Sequence, residues 1–206
     1  MSDNNLDSIK SLMDKVREIS EEKANKKRIE RWQPSPETAR DHWRGKPQWR
    51  ASIDSAPITV EPEMAMWGEI MGFALDEFYQ NPLVYLEYQL RMMIWRYENF
   101  DDHTCIEKNV PIWLGTTFES SLFGSKTIYD KSESPWLDRE FVIGNESDFY
   151  KIQKPDFNKT GLMPLSHKYY EVLKETLDDD FNVTFPEWGR SPFAVATHIR
   201  GFENVL

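Results

Sequence analysis

The sequence predicts an α/β fold in which short apolar strands alternate with helices. Three observations support this class: an amphipathic repeat over residues 1–31, a segment rich in tryptophan and proline over residues 32–65, and strand–helix alternation over residues 66–206. Apolar strands separated by helices of ten or more residues are typical of parallel strand–helix units. We take these three ranges as the predicted domains.

The first range, residues 1–31, is predicted to form one helical arm. Its apolar residues recur at steps of three and four, which places them on one face of a helix. They are Leu6, Ile9, Leu12, Met13, Val16 and Ile19. The mixed-charge run after Ile19 is interpreted as solvated surface, with a docking arm as the alternative.

The second range, residues 32–65, is predicted to wrap over the rest of the protein. Its prolines block a long helix and turn the chain. It also carries Trp32, Trp43 and Trp49, which a plain linker would lack. We therefore expect this segment to pack against the rest of the protein.

The third range, residues 66–206, contains the strand and helix signals. Residues 66–80 look helical, and Asn81 and Pro82 are predicted to cap and open the next helix. The apolar run at residues 110–115 is predicted to be a buried strand. Further predictions are a helix capped by Ser166, a strand over residues 182–188, and a last helix capped by Ser191 with Pro192 in first position.

Composition limits the classes of partner and compartment. The net charge of −10 argues against nucleic acid as the main partner, because phosphate binding needs clustered Lys and Arg. The single cysteine, Cys105, excludes an internal disulfide and suits a reducing compartment. The polar N-terminus carries no signal core, and no apolar run approaches the ~20 residues of a membrane span. We expect a soluble, cytoplasmic protein without a membrane partner.

Several motifs of the third range occur in a recognisable order. They are the E-S-S-L-F-G turn at residues 119–124, Pro135-Trp136, the I-x-x-x-x-D-F-x-K-I stretch at residues 143–152, Pro155-Asp156, and W-G-R-S-P-F-x-V-A-x-x-I-R-G at residues 188–201. Together they resemble the uroporphyrinogen decarboxylase-like superfamily over about residues 66–206. The resemblance implies a TIM-type (β/α)8 barrel, which typically needs ~250 residues. It therefore implies the first, N-terminal half of such a barrel, and we expect a fragment, a truncated gene product or a subunit completed by another chain.

Two branches of this superfamily imply different chemistry. The decarboxylases carry an N-terminal Arg-Gln-Ala-Gly-Arg-Tyr loop whose cations hold the carboxylates of the substrate. The nearest basic cluster here, Arg40 to Arg44 with Arg50, lacks that order and its glycine. The long Trp-rich lead and the W-G-R-S-P-F segment resemble the corrinoid-dependent methyltransferases more closely. That branch implies activation of a methylated donor by a proton or by zinc, and attack by a reduced corrinoid.

Asp102 and His103 are candidate catalytic residues because they follow the predicted long helix and precede the predicted strand. They indicate a general acid or a substrate contact, with a polar helix exit as the alternative. His103 and Cys105 also match a His-x-Cys zinc spacing known in methyl-transferring members. A catalytic zinc takes three protein ligands, and no second cysteine is present. We interpret the match as coincidence, assign no metal ligand, and expect any zinc to be held outside this chain.

The ends of the predicted strands carry further candidates. Glu119 follows the first of these strands closely, where barrels carry catalytic groups; a surface loop is the alternative. Trp188 and Arg190 lie after the later strand and are candidates for stacking a substrate and for holding a carboxylate or a corrinoid amide. Ser191 begins a helix and is either an anion seat or a plain cap. His198 is interpreted as structural.

The sequence thus favours a methyltransferase component that moves a methyl group from a small O- or N-methylated donor to a corrinoid on a partner protein. Uroporphyrinogen decarboxylase of porphyrin biosynthesis is the first alternative. A non-catalytic subunit that completes a barrel, docking through residues 1–31, is the second. The expected partners are a corrinoid protein or a complementary half-barrel chain, and an oligomer is expected because an open barrel exposes a sheet edge.

Overall fold

The computed structural model describes residues 3–32, 57–185 and 189–205. The chain divides into two compact units. The first unit comprises Met1–Pro62 with Gln89–Lys108, and the second comprises Glu63–Tyr88 with Asn109–Leu206. Most of the predicted wrapping segment, residues 33–56, lies outside the described residues.

The first unit begins with two helices, α1 at Asp3–Glu21 and α2 at Lys23–Trp32. The prediction of one continuous helix is therefore wrong. The backbone N–H of Glu22 donates to the carbonyl of Ile19, three residues back instead of four, at 3.0 Å. This tighter turn ends α1 and leaves Glu22 as the junction.

Four of the six residues in the predicted apolar face of α1 are buried, while Leu6 is 37% exposed. Ile9 and Val16 have no exposed surface, and Met13 and Ile19 are 1% exposed. The hydroxyl of Tyr97, in the last turn of the helix at Pro82–Asn99, donates to the Glu22 carboxylate at 2.9 Å. The burial of these four residues confirms the periodicity and occupies most of the face on which docking through residues 1–31 would depend.

In the second unit, Met64–Met71 forms α3 and Leu75–Phe78 forms α4. Gly72, which has a φ of +73°, separates them in a left-handed conformation that favours glycine. Helix α5 covers Pro82–Asn99, and its division between the units follows Tyr88. The Asn81 side-chain oxygen accepts the N–H of Leu83 at 3.1 Å, which confirms the predicted start.

The strands of the second unit are short. β1 at Asn109–Pro111 pairs in parallel with β4 at Asn182–Thr184, and β2 at Thr127–Ile128 pairs antiparallel with β3 at Trp136–Leu137. The remaining helices are α6 at Phe118–Ser121, α7 at Glu146–Phe149, α8 at Met163–Thr176, α9 at Pro192–Arg200 and α10 at Phe202–Val205.

The strand predicted over residues 110–115 ends at Pro111 for a specific reason. The N–H of Ile112 still donates to Thr184 at 2.8 Å, but the N–H of Trp113 donates to the Tyr85 hydroxyl at 3.0 Å. A side chain thus replaces the neighbouring strand as hydrogen-bond partner. The Tyr85 hydroxyl in turn donates to the Pro111 carbonyl at 2.6 Å, which fixes the carboxyl end of β1.

Helix α8 begins three residues before the cap predicted at Ser166. The N–H of Ser166 donates to the Leu162 carbonyl at 2.9 Å, so this residue already lies inside the helix, where it is buried. Pro164 is in the first turn, a position where the missing N–H costs nothing. The prediction of Ser166 as a cap is wrong.

The mixed helix and strand class is confirmed in its coarse form. The described residues form two separate two-stranded sheets, and no half of a barrel is visible in them. In these same ranges no helix combines the length and the apolar character that crossing a membrane requires.

Candidate functional site

The carboxyl ends of β1 and β4 lie side by side because the two strands run in parallel, with Pro111 opposite Thr184. The chain leaving β1 leads to Glu119 on α6, and the chain leaving β4 leads to Arg190 and the start of α9. Parallel pairing thereby brings together residues that are about seventy positions apart in sequence. This strand edge is where α/β proteins commonly bind ligands.

Glu119 and Arg190 are joined by a hydrogen bond. The backbone N–H of Arg190 donates to Glu119 Oε1 at 2.7 Å, and Arg190 Nε donates to the Thr116 carbonyl at 2.9 Å. Glu119 Oε2 has no partner among the described residues. A Cβ at Gly189 would lie 3.1 Å from Glu119 Oε1, so the absence of a side chain there permits the close approach.

Glu119 lies on the wall of a cavity of ≈ 260 Å³. The described lining is mainly aliphatic and aromatic: Ile112, Trp113, Leu114, Gly115, Phe118, Glu119, Leu122, Phe157, Ser166 and Phe185. Glu119 is the one charged side chain among those described residues. A mainly apolar cavity with a small number of well-placed polar groups is the usual form of a small-molecule site.

His198, on α9, adds a group that the sequence interpretation treated as structural. Its ring meets that of Trp136 edge-on, with the ring centres 5.9 Å apart. Nδ1 is buried and has no hydrogen-bond partner among the described residues. Burial lowers the pKa of His198 and the charge of Arg190 lowers it further, while Glu119 acts in the opposite direction. In the sequence, the placement of His198 is indicated by its spacing from Ser191: it lies two helical turns after that predicted cap.

Ser191 acts as the cap of α9. Its hydroxyl oxygen accepts the N–H of Ala194 at 3.2 Å, and Pro192 occupies the first turn. The predicted start of this helix is confirmed, and the role of Ser191 as an anion seat stays a prediction. Trp188 lies outside the described residues.

Asp102 and His103 belong to the first unit, where both bind the backbone of residues 58–60. Asp102 accepts the N–H of Val60 at 2.7 Å through Oδ2 and that of Thr104 at 2.7 Å through Oδ1. His103 Nδ1 accepts the N–H of Ile58 at 3.0 Å. Partial burial raises the pKa of Asp102, but hydrogen bonds from Thr104 and Val60 outweigh it and hold that pKa below its usual value. Through these contacts both residues fix the backbone of residues 58–60, which is a structural role.

Cys105 is half-buried, and burial raises the pKa of its thiol, with a further contribution from the charge of Glu107. A raised pKa disfavours the thiolate that binds metals. Across residues 3–32, 57–185 and 189–205, the structure contains no group of three or more His, Cys, Asp or Glu side chains arranged to hold a metal ion.

Comparison with protein-family models, with curated proteins and with solved structures found no match.

Proposed function

We propose that this chain is a component of a corrinoid-dependent methyltransferase of the uroporphyrinogen decarboxylase-like superfamily, and that it binds a small O- or N-methylated donor beside Glu119. The observation that carries the proposal is the apolar cavity with one carboxylate at the carboxyl ends of β1 and β4. The motif at residues 119–124 supports it, because it supplies Glu119 and Leu122 to the cavity wall, and Arg190, from the motif at residues 188–201, donates its backbone N–H to Glu119. A half-barrel that is completed by another chain and a cytoplasmic location belong to the proposal.

The size of the cavity favours a small donor. Its ≈ 260 Å³ lies below the ~300–1,000 Å³ of pockets for drug-sized ligands. A corrin ring is far larger, so the residues present fit the donor and leave the corrinoid to a partner protein. When bound nearby, the corrinoid supplies the strong nucleophile that accepts the methyl group.

The lining suits a donor whose methyl group is bound to nitrogen. The described wall includes the rings of Trp113, Phe118, Phe157 and Phe185. Aromatic faces attract methylated ammonium groups, and a carboxylate adds direct charge attraction. For a donor with an O-methyl group, Glu119 Oε2 is the atom that would hold a proton for the leaving oxygen.

Glu119 is held in place by Arg190. The backbone N–H of Arg190 fixes Oε1 at 2.7 Å, so rotation of the carboxylate away from the wall breaks a charge-assisted hydrogen bond. This arrangement leaves Oε2 for the donor. Zinc activation would need a three-ligand group, which the described residues do not contain.

The same lining does not favour uroporphyrinogen decarboxylation. That substrate carries several carboxylates, which need cations on binding. The described cavity wall offers no cation and presents one anion, Glu119. The subunit alternative is favoured by a different observation: the second unit exposes large aromatic side chains, including Phe149, Phe193 and Phe202, each more than half exposed.

Methyl transfer is tested by following the loss of cob(I)alamin absorbance with the chain purified from its source together with any chain that copurifies, and a panel of methanol, methylamines and aryl methyl ethers. We expect donor-dependent methylation, reduced about 10²–10⁴-fold by Glu119→Gln, which removes the ionisable group. Glu175→Gln, at an exposed position on α8, is the matched control and should leave the rate unchanged. Absorbance that stays constant with every donor contradicts the proposal.

A further inference from the structure

A second concave surface lies beside α9, in the second unit. It is a groove of ≈ 380 Å³ lined by Phe123, Arg190, Pro192, Val195, Ala196 and Ile199. These residues include none of the described residues around the Glu119 cavity. A ligand in this groove therefore does not depend on the proposed methyl transfer.

The described lining of the groove is apolar apart from the side chain of Arg190. Arg190 Nε donates to the Thr116 carbonyl at 2.9 Å, which fixes the base of the guanidinium group. Its terminal nitrogens, Nη1 and Nη2, make no hydrogen bond or ion pair with any described residue. Glu119 accepts the backbone N–H of Arg190 and does not pair with its side chain.

An arginine of this kind is a receptor for a carboxylate. A half-buried charge is costly unless it is paired, and a guanidinium group presents two parallel N–H donors that match a carboxylate. The rest of the groove offers methyl, methylene and ring surface, which gains free energy when an apolar body covers it. Charge and surface together define an occupant with one anionic head and an apolar body.

We propose that this groove is a second binding site, for a small monocarboxylate with an apolar body, whose carboxylate pairs with Nη1 and Nη2 of Arg190. Its chain would lie along Val195, Ala196 and Ile199, which face the groove on successive turns of α9. The site thus takes a ligand of opposite charge to the methylated ammonium favoured by the Glu119 cavity.

His198 supplies an internal reporter of this binding. The positive charge of Arg190 lowers the pKa of His198. A carboxylate paired with Arg190 offsets that charge, so ligand binding should raise the pKa of His198. A contact with the apolar wall alone brings no negative charge and would not raise the pKa of His198.

The test uses the full chain, methyl-labelled for NMR, and three probes: hexanoate, hexanol and acetate. We expect hexanoate to shift the Val195 and Ile199 methyl signals saturably and to raise the pKa of His198. Hexanol, which lacks the charge, and acetate, which lacks the apolar body, should bind about tenfold more weakly or worse. Equal responses to hexanoate and hexanol, or to hexanoate and acetate, would overturn the proposal.

Two variants separate the head from the body of the ligand. Arg190→Gln should weaken hexanoate binding about tenfold or more and abolish the response of His198. Ala196→Phe keeps the guanidinium group but fills the groove, and should also prevent binding. Arg139→Gln, at an exposed arginine of the same unit, is the matched control and should bind as the unaltered chain does. Hexanoate binding that survives either groove variant in a folded protein would overturn the assignment.

Discussion

Two carboxylates, one in each unit, show how similar residues acquire different uses. Asp102 has both oxygens bound to backbone N–H groups, from Thr104 and Val60. Glu119 has one oxygen bound to the N–H of Arg190, and the other lies free of any described partner on a cavity wall. A carboxylate near the end of a helix or strand is therefore a candidate for binding or catalysis when one of its oxygens is not already bonded to the backbone.

The largest effect is expected at Asn25, which shows how strongly polar side chains hold the first unit. Asn25 is fully buried; its amide donates to the Ile106 carbonyl at 2.8 Å and its oxygen accepts the Ile106 N–H at 2.8 Å. Asn25→Ala leaves two buried backbone groups without partners, so the free energy of unfolding should fall by about 3 kcal/mol. Urea denaturation followed by circular dichroism measures it.

The control for this change is Asn99→Ala, since Asn99 is exposed and donates to the Trp95 carbonyl. Its effect should stay within about 0.5 kcal/mol. Equal losses at both asparagines would break the view that buried polar contacts hold the first unit.

Asp102→Asn should have the next largest effect, about 1–2 kcal/mol at neutral pH, because it weakens two charge-assisted bonds to the backbone. Partial burial raises the pKa of Asp102, yet the bonds from Thr104 and Val60 lower it overall. Stabilisation is then present above the unfolded-state pKa of about 4 and is lost as pH falls through the folded-state pKa. Urea denaturation at pH 7 and pH 3 should show a smaller acid loss in the variant than in the unaltered chain. The same acid loss in both would contradict the role assigned to Asp102.

Glu119→Gln should change stability by about 1 kcal/mol or less, because glutamine keeps an oxygen that accepts the Arg190 N–H. Binding of tetramethylammonium, a probe for the cavity, should weaken about tenfold through the loss of charge attraction. Calorimetric titration and urea denaturation measure the two effects. A stability loss as large as that of Asp102→Asn, with unchanged binding, would remove the contrast between the two carboxylates.

The smallest effect is expected from His198. Burial lowers the pKa of this imidazole, followed by the charge of Arg190, so the unfolded chain takes up the proton more readily. Its contribution to stability is present above about pH 6.5 and is lost as pH falls below that value. His198→Gln should flatten this dependence by about 0.5 kcal/mol or less, since solvent screens a half-exposed group. His167→Gln, at an exposed position, is the control; an equal flattening there would rule out His198 as the source.

Local signals in the sequence predicted the helix starts that depend on local chemistry. Asn81 with Pro82 and Ser191 with Pro192 each combine a capping side chain with a ring suited to the first turn, and both starts are confirmed. Ser166 shows the opposite case. Serine suits a cap, but the N–H of Ser166 already donates to the Leu162 carbonyl as in a helix. The residue therefore lies inside the helix and not at its start.

The features that the sequence did not predict depend on contacts between residues distant in sequence. The strand after Asn109 is short because the Tyr85 hydroxyl accepts the Trp113 N–H, a contact that no local pattern contains. Glu119 and Arg190 were both identified as candidates, but their hydrogen bond depends on the parallel pairing of β1 with β4. Residue type therefore predicted which residues were candidates for the site. The pairing of the strands determined which of these candidates are in contact.

The bond between Asn25 and Ile106 also sets the order in which the chain can fold during synthesis. Its partners are 81 positions apart, and the first unit is interrupted in sequence by Glu63–Tyr88. At ribosomal rates of about 5–20 residues per second, α2 waits roughly 4–16 s for its partner. Throughout that delay the apolar face of α1 has no finished unit to bury it, so the first unit can close only after residue 106 has been synthesised.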